Sequence, residues 1–145
     1  MARIEASVTI KRPVEEVFDF VTNAANVTQW RSGISESSQT SEGPVGVGAT
    51  MRGVARVMGR QLKMTSEVTE YEPNRKYSTK TTSGPIPVRM SYTFESVNGG
   101  TRVIFVGDAQ LGGFLKLIEP LVVRQQQRQS EAAFANLKEL LEAQA

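Results

Sequence analysis

The chain has 145 residues, 39% of them hydrophobic and 22% charged, which is enough to bury one sizeable core and far from the make-up of a disordered segment. It contains no histidine and no cysteine, so serine–histidine and cysteine–histidine nucleophile pairs, thiolate chemistry and disulfides are excluded, and the commonest metal ligand is missing. A net charge of +2 is too small to argue for nucleic acid, and no apolar run reaches the roughly 18–20 residues of a membrane span. The alternating N-terminus has no signal-peptide core. The expectation is a single cytoplasmic domain over residues 1–145, without metal, cofactor or stable membrane insertion and with no signal of oligomeric state.

The first element is a strand: in RIEASVTI, Ile4, Ala6, Val8 and Ile10 alternate with polar residues. RPVEEVFDFV then predicts a helix from about Pro13 to Val21. Pro13 suits its first position, Glu15 and Glu16 favour its positive end, and Val14, Val17, Phe18 and Val21 form the apolar stripe. Asn23 caps a second short helix through AANVTQW, and the polar RSG leads to a strand beginning near Ile34.

The next stretch, GPVGVGATMRG, has the glycine content of a phosphate-binding loop. Such a loop is followed by a helix and, in the Walker form, ends in Lys-Ser/Thr; here the glycines lead instead to Met51, Val54, Ala55 and Val57 in a strand context, with no lysine. They predict a turn and a bent strand. ATMRGVARVM, QLKMTSEVTEYE, KYSTKTT, IPVRMSYTFESV and TRVIFVGDAQ supply the remaining strands, with turns at Gly59-Arg60, Pro73-Asn74 and Asn98-Gly-Gly. The total is seven antiparallel strands. A long helix from about Gly113 to Ala143 closes the chain, with Ala133, Phe134, Leu137, Leu140 and Leu141 as its apolar stripe and Pro120 either kinking it or starting its main segment.

This order, with RPVEEVFDFVTN, NVTQW, GPVGVGATMRG, VTEYEPNRKY, GGTRV and NLKELLE in sequence along it, resembles the START-like, helix-grip SRPBCC superfamily, and in particular its polyketide cyclase/dehydrase-like branch. The resemblance spans essentially the whole chain. It implies an α+β helix-grip fold: a curved seven-stranded antiparallel sheet wrapped around a long C-terminal helix, with two short helices after the first strand. It also implies a hydrophobic small molecule held between sheet and helix.

On such a sheet, alternation turns Met51, Gly53, Ala55 and Val57 inward, followed by Leu62, Met64, Ser66 and Val68, by Tyr77 and Thr79, by Val88, Met90, Tyr92 and Phe94, and by Val103 and Phe105. The small residues Gly53, Ala55 and Ser66 leave room, and Met51, Met64 and Met90 offer an adaptable lining. Trp30 from the second helix and Ile118, Val122, Gln126 and Ser130 from the last complete the expected wall. Because RQQQRQSEAA is polar all round, Gln126 and Ser130 should meet water or a polar ligand group, giving a partly wet pocket. The same apolar pattern also describes a filled core.

Two further sets of residues bear on chemistry. Glu36 shares the parity of Ile34, and if it points inward burial would raise its pKa toward that of a useful base; Tyr92 is the other candidate catalytic group, and Tyr77 can also offer a hydroxyl. Arg52, Arg56, Arg60 and Lys63 gather on the opposite sheet face, as a solvated surface or a patch for an acidic partner. The reading is a binder or carrier of a hydrophobic or amphipathic, lipid- or polyketide-like molecule. Its alternatives are a cofactor-free polyketide cyclase or dehydratase using the same cavity and a ligandless protein-interaction module.

Overall fold

The computed structural model describes residues 2–57 and 59–143; Met58, the last residue of one predicted strand, lies outside the described residues. Strand β1 (Ala2–Ile10) alternates as expected, with Ile10 wholly buried and Ile4, Ala6 and Val8 half-buried on the same face. Helix α1 (Val14–Thr22) buries Val17, Phe18 and Val21. Pro13 precedes this helix instead of opening it: its ψ is 148°, and its carbonyl accepts the N–H groups of Glu16 and Val17 at 3.1 and 3.2 Å. Its fixed φ suits either place. The Asn23 side chain accepts the Ala25 N–H at 3.1 Å and caps a 3₁₀ turn (Ala24–Asn26) that runs on into α2 (Val27–Trp30).

Six strands follow: β2 (Ile34–Gln39), β3 (Thr50–Val57), β4 (Arg60–Glu72), β5 (Lys76–Ser83), β6 (Val88–Val97) and β7 (Gly100–Ala109). All pairings are antiparallel, in the order β1-β7-β6-β5-β4-β3-β2. The meander is therefore closed by β1 joining the last strand. Asn98 and Gly99, at φ 51° and 80°, form the two-residue turn between β6 and β7. The glycine-rich stretch is the loop between β2 and β3, where Gly43 and Gly48 take φ of 86° and 91°. No helix follows it, so it is a turn.

After β7 a short helix α3 (Phe114–Leu117) leads to α4 (Glu119–Glu142), with Pro120 in the first turn of α4. Pro120 thus starts the main segment. α4 buries Ala133, Phe134, Leu137 and Leu141 against the sheet, and Leu140 packs at the edge of that contact. Its polar side chains cover the free edge of β1. Gln127 bonds both backbone groups of Glu5 (Nε2 to O at 2.7 Å; Oε1 from N at 3.4 Å), Lys138 donates to Thr9 O at 2.7 Å, and Glu142 accepts the Lys11 N–H at 2.9 Å. An open edge invites pairing with other chains, and these side chains occupy it. The whole is a helix-grip fold, in which the curved sheet holds α4. Among the described residues no helix is long and apolar enough to cross a membrane.

Candidate functional site

The buried apolar residues fall into two clusters. The larger joins α1, α2 and the C-terminal half of α4 to the sheet, and the smaller gathers Ala2, Ile86, Leu111 and Val122 near the start of α4. A cavity of about 240 Å³ is lined by residues of both. Protein cores are normally close-packed, so an apolar space of this size departs from ordinary core packing.

Small inner-face residues keep the space open. β3 contributes Met51, Gly53 and Ala55, β4 contributes Leu62, Met64 and Ser66, and β5 contributes Tyr77 and Thr79. At Gly107 on β7 an added Cβ would lie 2.9 Å from Phe105 Cζ, so glycine lets the Phe105 ring fold flat along its own strand. Met90, Tyr92 and Phe105 face these residues from β6 and β7, and Trp30, Val122, Gln126 and Ser130 close the space from the helices. The aromatic rings support one another. Tyr92 lies 5.0 Å from Phe105, and 6.3 Å from both Tyr77 and Trp30 between centroids, while Phe134 of α4 stacks behind Trp30 at 6.1 Å.

All the residues expected to face inward border this cavity except Phe94, Ile118, Val68 and Val103. Phe94 does face inward, but α1 covers that end of the sheet and Phe94 packs edge-to-face on Phe18 at 5.0 Å. Ile118 has the wrong phase because the helix breaks there and α4 starts at Glu119; its backbone, at φ −109° and ψ 24°, caps α4, and its side chain joins the small cluster. Val68 and Val103 are likewise core. Glu36 is exposed and absent from the cavity, and the reason is a bulge. Ile34 pairs with Ala55 but Glu36 pairs with Val54, so the extra residue reverses the parity and turns Ser37 inward in place of Glu36. The basic residues Arg52, Arg56, Arg60 and Lys63 are exposed.

Polar side chains interrupt the mainly apolar lining. Ser130 is buried, and Gln126 Nε2 and Trp30 Nε1 are buried with no partner among the described residues. Among the lining residues that composition and spacing did not single out is Arg31. It stands just past the end of α2 in extended conformation, and that turn of chain swings its side chain into the cavity. There Nη1 donates to the Tyr92 hydroxyl oxygen at 2.8 Å, and the guanidinium carbon lies 5.8 Å from the Trp30 ring centroid and 5.5 Å from that of Phe105. No motif signals it: an arginine in RSG between two elements looks like any solvated loop cation.

Tyr77 is the most strongly perturbed acid at the site. Burial first, then the neighbouring Tyr92 and Tyr71 hydroxyls, push its pKa up to about 12, which keeps it a neutral hydrogen-bonding group at any ordinary pH. Among the described residues no group of three or more His, Cys, Asp or Glu side chains could hold a metal ion. Chemically the site can enclose an apolar body and offer it hydrogen-bond donors, with Arg31 and Tyr92 side by side.

Known structures place this architecture. The Thermus thermophilus protein TTHA0849 superposes with a TM-score of 0.86 at 20% identity, covering 99% of both chains. The ZhuI aromatase/cyclase from Streptomyces sp. R1128 gives 0.78 at 15% identity over 97% of this chain and 93% of its own. A START superfamily protein from Mycobacterium smegmatis gives 0.75 at 12% identity over 95% and 98%. At these identities the likeness is one of fold. No curated protein matches the sequence significantly. The model of the family described as polyketide cyclase/dehydrase and lipid transport matches residues 1–142, and the chain belongs to that family.

Proposed function

We propose that this protein binds and carries a hydrophobic or amphipathic small molecule, lipid- or polyketide-like, enclosed between the sheet and α4. The observation that carries the reading is the cavity of about 240 Å³ with its predominantly apolar wall. The family, whose description joins polyketide chemistry and lipid transport, supports it at the level of ligand class. A filled interior would have favoured a ligandless interaction module, and the open space counts against that alternative. A ligand burying about 300 Å² of apolar surface gains roughly 7.5 kcal/mol before association costs, so micromolar affinity is the range to test. Native mass spectrometry of the purified protein, paired with its denatured mass, tests the reading. A co-purifying adduct released on denaturation supports carriage; no adduct, and no binding of apolar probes at high micromolar concentration, refutes it.

One observation favours a second, catalytic reading. The Arg31 guanidinium and the Tyr92 hydroxyl meet at 2.8 Å inside the cavity, where paired donors could polarise the carbonyl of a bound polyketide-like molecule. Glu36, being exposed, plays no part in it. Loss of turnover in Tyr92→Phe with ligand binding retained would favour a cyclase or dehydratase over a carrier.

A further inference from the structure

Arg31 has no carboxylate. The ion pairs of the described residues are Arg3–Glu5, Arg12–Glu16, Arg75–Glu72, Lys76–Glu70 and Lys138–Glu142, and Arg31 belongs to none of them. Its guanidinium is nonetheless partly buried, between the faces of Trp30 and Phe105. Aromatic faces attract a cation, but they return only part of what it loses on leaving water. A guanidinium carries five N–H donors in a planar fork, and one is engaged with Tyr92 while a weak contact reaches Met90 Sδ at 3.8 Å.

The neighbouring groups have the same polarity. Because the Tyr92 oxygen accepts from Arg31, the Tyr92 O–H proton is turned toward some other acceptor. Trp30 Nε1, a donor only, and Gln126 Nε2 have no partner among the described residues. Two other charged residues border the cavity, Arg52 and Asp108, but each alternates along its strand with inward residues: Arg52 stands between Met51 and Gly53, Asp108 between Gly107 and Ala109. The one acid is thereby set on the outer face, beside Arg89 and Lys80. The interior offers positive charge and hydrogen-bond donors without a facing anion.

We propose that the cavity selects carboxylate-headed ligands, with Arg31 as the counter-ion of the head and the Tyr92 hydroxyl beside it as a further donor. The proposal rests on the carriage reading above and names the ligand class within it. The apolar wall holds the body of the ligand, and the fork of Arg31 meets the two carboxylate oxygens as it does in protein ion pairs. Fatty acids and aromatic acids share this chemistry and differ only in the body.

The test uses the only tryptophan in the chain, Trp30, as a fluorescent reporter in the cavity wall. Decanoate and 2-naphthoate are titrated against decanol and 2-methoxynaphthalene, with calorimetry as a second readout. The wild type is expected to bind each acid at least about tenfold tighter than its neutral counterpart, with the preference fading as pH falls and the ligand's carboxyl takes up its proton. Arg31→Gln should weaken acid binding about tenfold more than it weakens neutral binding, while Arg31→Lys restores part of the preference. The tighter of the two acids identifies the favoured body. Equal affinity of the wild type for acid and neutral probes, or equal loss of both in Arg31→Gln, overturns the proposal and leaves carriage standing. If no probe binds the wild type, carriage and the proposal fall together.

Discussion

Tyr77 is buried among Tyr71 and Tyr92, and its raised pKa has a direct consequence for stability. Below pH 10 both the folded and the unfolded chain hold the phenolic proton, so the group contributes no pH dependence. Between about 10 and 12 the unfolded chain releases a proton that the folded one retains, and stability falls by up to about 1.4 kcal/mol per pH unit before levelling off. Tyr71, raised by burial and by Asp19, acts in the same direction. Urea denaturation between pH 8 and about 11.5 should show this loss, and Tyr77→Phe should flatten it; an unchanged slope in the variant would assign the alkaline loss to other groups. Gly53 tests the cavity itself. An added Cβ there meets only the Glu36 carbonyl, at 3.5 Å, an ordinary contact. Gly53→Leu is therefore expected to fill the cavity, cut decanoate binding at least about tenfold and leave thermal stability equal or higher. Gly100 is the contrasting case, since a Cβ would lie 2.7 Å from the Ile10 carbonyl oxygen; Gly100→Ala should force β1 and β7 apart and lower the melting temperature.

At the scale of elements, α4 does two jobs with two faces. Its apolar face anchors the grip: Leu137 is fully buried, and Phe134 stacks behind Trp30. Leu137→Ala should cost about 2–5 kcal/mol and Phe134→Ala about 3–5 kcal/mol in denaturant melts, with loss of the Phe134 ring also loosening the cavity wall. Its polar face covers the edge of β1 through Gln127, Lys138 and Glu142. This second role explains why the turn RQQQRQSEAA is polar all round. Only Gln126 and Ser130 of that turn line the cavity, while Gln127 behaves as a strand partner to Glu5. Two other features of the elements were only partly legible. A bulge leaves no periodicity signal when its strand, ISESSQ, is already mostly polar, and Pro120 is compatible with either a kink or a start until the packing of α4 chooses between them.

For the molecule as a whole, ligand and fold are linked. A ligand that binds only the folded state stabilises it by about 2.7 kcal/mol at a hundredfold excess over its Kd. For a chain of this size that corresponds to a rise of roughly 5–10 °C in melting temperature. Decanoate at saturating concentration should produce such a rise, and the rise should be lost in Gly53→Leu. A shift that persists in that variant would place binding outside the cavity.

The sequence by itself determined the order and kind of the elements, because period-two and period-3.6 apolar patterns, an Asn cap and an Asn-Gly turn are written in local spacing. It also determined most of the inner face, since alternation along an unbroken strand carries Met51, Met64, Tyr77 and Tyr92 inward in any sheet of this kind. Tertiary structure alone decided that the interior holds a cavity, because open and filled cores share one apolar pattern and differ in how the side chains of sheet and helices meet across it. It alone sent Phe94 under α1, turned Glu36 outward at a bulge, and drew Arg31 into the cavity beside Tyr92. The direction of a side chain at the end of a helix depends on how the chain leaves that helix and what packs over it, and neither is local to the sequence.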